Sequence, residues 1–127
     1  MKKRLLLIVV AISLSIAYWG NANQILTSSV IEEMNRVYQQ FQGKPYDIYF
    51  EWSDDRIYCS ELVWKIYKEA AAIELGKLEQ LSDFDLSSKA VQSKMKERYG
   101  NNIPMDELVI SPAAIFESDR LITIEEN

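Results

Sequence analysis

Tyr58-Cys59-Ser60-Glu61-Leu62-Val63-Trp64-Lys65 is the stretch on which the reading of this chain turns. The apolar positions Leu62, Val63, Ile66, Tyr67 and Ala70 recur at helical spacing. They predict an amphipathic helix over roughly Cys59 to Ala72. The polar run Ser53-Asp54-Asp55-Arg56 before it reads as a turn. Cys59 therefore opens the helix, where the first N–H groups have no intrahelical acceptor. A thiol attacks as its thiolate, and that end of a helix favours the anion. The same N–H groups suit an oxyanion formed during acyl transfer. A cysteine so placed reads as a nucleophile. Yet the 127 residues contain no histidine, the usual proton acceptor for such a thiol.

Upstream, Ser29-x-x-Glu32 reads as a capping box. Val30, Met34, Val37, Tyr38 and Phe41 continue it as a helix to about Gln42, with Gly43 as the left-handed stop and Pro45 after it. Tyr46 to Trp52 alternates, placing Ile48, Phe50 and Trp52 on one side of a short strand. Downstream, the region from Leu78 to Phe84 reads as irregular or briefly extended. A third helix is expected from Lys89 to Tyr99, stopped by Gly100. Glu107 to Ile110 reads as extended. Ser111-Pro112 opens a short helix through about Phe116, and Leu121 to Ile124 reads as a last strand.

The first 22 residues read as a secretory signal peptide. Lys2-Lys3-Arg4 is a positive n-region, Leu5 to Ala17 is uncharged, and Gly20-Asn21-Ala22 offers small residues at a cleavage site. The expected domain is then 23–127, exported to the periplasm or envelope. Removing the three basic leader residues takes the net charge from −5 to −8. That balance argues against nucleic acid as a partner, because phosphate binding needs a basic face. A single cysteine excludes an internal disulfide and points to a reactive or intermolecular thiol.

Each candidate side chain has a plainer role beside its chemical one. Glu61 in the first turn complements the helix dipole, although its charge opposes a nearby thiolate. Tyr46 is a neighbour of the thiol if its strand packs beside the helix; otherwise it is a tyrosine with a wetted tip. Trp52 and Trp64 are core, or the wall of a binding groove. No metal-ligand cluster, cofactor motif or phosphate-cradling loop is present in the sequence.

At these residues the chain resembles a known family. Gly43-Lys44-Pro45-Tyr46-Asp47, Trp52-Ser53-Asp54-Asp55-Arg56 and Tyr58 to Lys65 are similar to the YiiX-type permuted papain-like cysteine amidases, of the NlpC-like superfamily. The likeness continues through Phe84-Asp85-Leu86-Ser87, Lys96 to Gly100, Asn102-Ile103-Pro104 and Ser111-Pro112. It implies an α/β (α+β) fold with the nucleophile helix packed on a small antiparallel sheet. It assigns the nucleophile to Cys59 and the tyrosine beside it to Tyr46. In permuted members the histidine precedes the cysteine, on strands of an N-terminal half. Those strands have no counterpart in this sequence, so the resemblance implies an incomplete papain-like fold.

Three readings follow. The first is a cysteine hydrolase of the envelope, acting on a small amide, ester or peptide-like substrate and weak in this chain without its base. The second is a binding module using Tyr46, Trp52 and Trp64, with Glu61, to hold an envelope ligand. The third is a truncated remnant that needs a complementing chain or a homodimer. None calls for a metal.

Overall fold

The computed structural model describes residues 26–122. The proposed leader lies outside that range. Helix α1 spans Ser28–Phe41, capped by Thr27 Oγ1, which accepts from the Val30 N–H at 3.4 Å. The cap thus falls two residues before the expected Ser29, and both serines are absorbed into the first turn. There their N–H groups need no intrahelical partner. The helix ends at Gln42, and Gly43 takes the left-handed turn at φ +82°.

The segment after it is not the expected strand. Only Tyr46 pairs, in a single parallel bridge to Ile57, with Asp47 N–H donating to Ile57 O and Ile57 N–H to Pro45 O, each at 3.2 Å. The fully buried Asp47 carboxylate then accepts from the N–H groups of Tyr49 (2.8 Å) and Glu51 (2.7 Å). A side chain that takes two amides offers the backbone an alternative to a ladder. The chain curls, Phe50 adopts φ +55°, and Ile48 turns out to solvent.

Helix α2 spans Cys59–Ala71 and is the centre of the molecule. Leu62, Ile66 and Ala70 pack on Val37, Phe41 and Ile57, which joins α2 to α1. A second cluster forms around Tyr58, Trp64 and Ile110, with Phe50, Trp52, Leu78, Ala114 and Ile115 against it. Val63, expected in the inner stripe, is instead exposed.

Strands β1 (Glu79–Gln80) and β2 (Leu108–Val109) pair antiparallel, Glu79 opposite Val109 and Gln80 opposite Leu108. A 3-10 turn at Leu81–Asp83 follows β1. Helix α3 runs over Lys89–Tyr99 from its cap Ser88, as expected. It buries no side chain fully and is fastened at its C-terminal end, where the Tyr99 hydroxyl donates to Tyr49 O and Arg98 lies 5.1 Å from the Phe50 ring centre. Helix α4 spans Pro112–Phe116, capped by Ser111. Ile110, entirely buried between β2 and α4, carries this end of the chain against α2. The result is the expected α+β arrangement, with the cysteine helix beside a small antiparallel sheet. Leu121 and Ile122 form no strand, and the remainder of that predicted element lies outside the described residues.

Candidate active site

Cys59 is the first residue of α2, exposed to solvent as a free thiol. Its neighbours fix the turn that presents it. The Tyr58 ring is buried, stacked edge-on against Phe50 at 5.1 Å. Its hydroxyl accepts from the Ile110 N–H at 3.2 Å, and burial holds the phenol well above its ordinary pKa. Ser60, on the other side of the cysteine, donates its hydroxyl to Ile110 O at 2.8 Å. One buried backbone unit thus grips the residue before the thiol and the residue after it.

Beneath this turn lies an ionic cluster built on the buried Glu61–Lys65 pair. Glu61 is 0% exposed. Its Oε2 accepts from the Tyr58 N–H at 3.5 Å, and its Oε1 lies 2.8 Å from Lys65 Nζ. Lys65 Nζ also donates to Ser53 O at 2.8 Å and Asp54 Oδ1 at 2.7 Å. It sits 5.0 Å from the centre of the Trp52 ring and 5.6 Å from that of Phe41. Burial raises the Glu61 carboxyl above its usual range, and Lys65 offsets only part of that. For Lys65 burial acts downward, but Asp54 and Glu61 outweigh it and hold the ammonium above its ordinary value. The cluster ties the loop 47–57 to the helix that carries Cys59.

The expected site residues therefore divide. The Tyr46–Ile57 bridge sets Tyr46 beside the segment leading into Cys59, and both residues are exposed. Glu61 sits inside, as a buried cap and ion-pair partner rather than a surface contact. Trp64 is buried, donates its indole N–H to Gly76 O at 3.4 Å, and meets Trp52 edge-on at 5.4 Å. The tryptophan pair belongs to the second apolar cluster and also lines a cavity of about 300 Å³ with Ser53, Asp54 and Lys65. The amide-accepting role of Asp47 and the ion pairs of Lys65 were not read from the sequence. The Glu61–Lys65 spacing of four residues was the available signal for the second.

An exposed cysteine at the head of a central helix, beside a small antiparallel sheet, is a papain-like arrangement. The chain matches the model of the permuted papain-like amidase enzymes, the YaeF/YiiX or C92 family, over residues 11–125, and belongs to that family. It is 50% identical over 93 residues to the uncharacterized protein YiiX of Escherichia coli K12, which covers 73% of this chain and 46% of that protein. It is also similar to the crystal structure of the metalloprotein YiiX from Escherichia coli O157:H7. There the identity is 45% and the TM-score 0.75, covering 80% of this chain and 57% of that one. The chain thus spans about half the length of these relatives.

Proposed function

We propose that Cys59 is the nucleophile of a cysteine hydrolase, acting on a small amide, ester or peptide-like substrate, whose imidazole base comes from outside these 127 residues. The observation that carries this is an exposed thiol on the first residue of α2, in a chain of an amidase family. Sγ would attack the carbonyl carbon, and the first-turn N–H groups would receive the oxyanion. Collapse would expel the amine or alcohol and leave an acyl-thioester, which water then hydrolyses. Tyr46 lines the approach. The leader-like first 22 residues support an envelope location.

The metal of the solved relative is not carried over. Among the described residues no group of three or more His, Cys, Asp or Glu side chains is placed to hold one.

The test is turnover of a nitrophenyl ester and a peptide amide by this chain, alone and co-expressed with the portion of Escherichia coli YiiX that has no counterpart in it. A positioned base is worth about 10²–10⁴-fold. The complex is expected to exceed the single chain by about that factor, and Cys59→Ser to abolish the gain. Equal turnover with and without the added portion would overturn the reading.

A further inference from the structure

The first turn of α2 is fastened from outside the helix. A serine in such a turn ordinarily bonds back to a nearby backbone group. Buried Ser60 instead donates to Ile110 O at 2.8 Å, 50 residues away in sequence. Buried Tyr58 reaches the same residue and accepts from its N–H at 3.2 Å. Ile110 is a firm anchor. It is fully buried and follows β2, which pairs with β1. It precedes Ser111, whose Oγ and O accept from the N–H groups of Ala114 and Ile115 in α4. Glu61 completes the pattern, because its Oε2 takes the N–H of Tyr58, the residue before the helix. The polar side chains on both sides of the thiol are thus engaged by Ile110 and Tyr58. The N–H groups of Cys59 and Ser60 have no acceptor among the described residues.

We propose that Ser60 and Tyr58 are positioning residues for acyl transfer at Cys59. Their hydroxyls lock the first turn of α2 onto Ile110, so that the Cys59 and Ser60 N–H groups await an oxyanion already fixed and unoccupied. The proposal rests on the function given above and adds the side chains that set its rate without touching substrate. Preorganised donors stabilise a developing charge because nothing has to reorient as the charge appears. A misplacement of about 1 Å costs on the order of 10²-fold in rate. Each hydroxyl belongs to a residue adjoining Cys59 in sequence. Releasing either one loosens the turn without removing an atom from the cysteine itself.

The experiment measures two rates at Cys59 in the full chain by mass spectrometry. One is alkylation by iodoacetamide, a displacement that forms no oxyanion. The other is acylation by nitrophenyl acetate, which forms one. The ratio of acylation to alkylation reports the oxyanion donors separately from the exposure and ionisation of the thiol. In the parent it is expected to be higher in the native chain than in urea. Ser60→Ala and Tyr58→Phe should each lower it about tenfold, acylation falling while alkylation and its pH profile hold. Ser88→Ala removes the cap of α3 and so destabilises the chain elsewhere; it should leave the ratio unchanged. Tyr58→Phe strands the buried Ile110 N–H. If that variant does not fold by circular dichroism, Ser60→Ala decides alone. The proposal is overturned if Ser60→Ala keeps the parent ratio, if both rates fall together, or if Ser88→Ala lowers the ratio as much. The two claims also separate. A parent ratio no higher in the native chain than in urea removes the hydrolase reading, and this proposal with it. A raised parent ratio that survives both variants removes this proposal alone.

Discussion

At the scale of single residues, the thiol is presented by what grips its neighbours. The Tyr58 hydroxyl and Ser60 Oγ both engage the backbone of Ile110, so Cys59 is held between two anchored positions while its own side chain stays free. Gly76 supports the far side of the same core. Its φ is +79°, and a Cβ there would stand 2.3 Å from Ala114 O, a backbone atom that cannot swing away. Trp64 also donates to its carbonyl. Gly76→Ala should therefore lower stability by at least about 2 kcal/mol, through strain and forced displacement of α4. Urea unfolding monitored by tryptophan fluorescence checks this; a loss below a few tenths of that would contradict the packing described.

At the scale of elements, α2 closes and opens in ways that make opposite predictions. At its C-terminal end Ala72 takes a left-handed conformation, φ +55°, with its N–H donating to Lys68 O at 3.0 Å and the Ile73 N–H donating to Tyr67 O at 3.2 Å. Glycine adopts that conformation without the Cβ penalty. Ala72→Gly should stabilise the fold by about 1 kcal/mol, read as a rise in melting temperature. At its N-terminal end the Glu61–Lys65 pair is buried, and removing one partner strands the other. Lys65→Met should cost about 3 kcal/mol near neutral pH. Glu61 already holds its proton more tightly in the fold than in the open chain. A raised carboxyl gains native stability as pH falls through its folded value and loses it as pH rises. The deficit of Lys65→Met should thus shrink on acidification. Denaturant midpoints of variant and parent across that range decide it, and a deficit that widens in acid would contradict the pairing.

At the scale of the whole molecule, the helices were legible because their apolar residues repeat at helical spacing and their ends carry Ser, Gly and Pro signals. The span of α3 and the placement of Cys59 at the head of α2 were read directly from these. The strand expected at Tyr46 to Trp52 was not, because alternation says nothing of a carboxylate such as Asp47 that takes the amides of Tyr49 and Glu51 for itself. Spacing alone could not separate Val63, which is exposed, from Leu62, which is packed, since both fall within a broad apolar stripe. The ionic cluster under the thiol was half visible in the Glu61–Lys65 spacing. Its other half, Ser53 and Asp54, joins only through the fold. The central claim is that this fold presents one thiol for acylation. The most direct measurement is peptide mapping by mass spectrometry after brief reaction of the native chain with a nitrophenyl acyl ester. One acyl adduct is expected, on Cys59, lost in Cys59→Ser and in urea slowed toward the rate of an ordinary thiol. Acylation spread over surface lysines, with Cys59 unmodified, would contradict it.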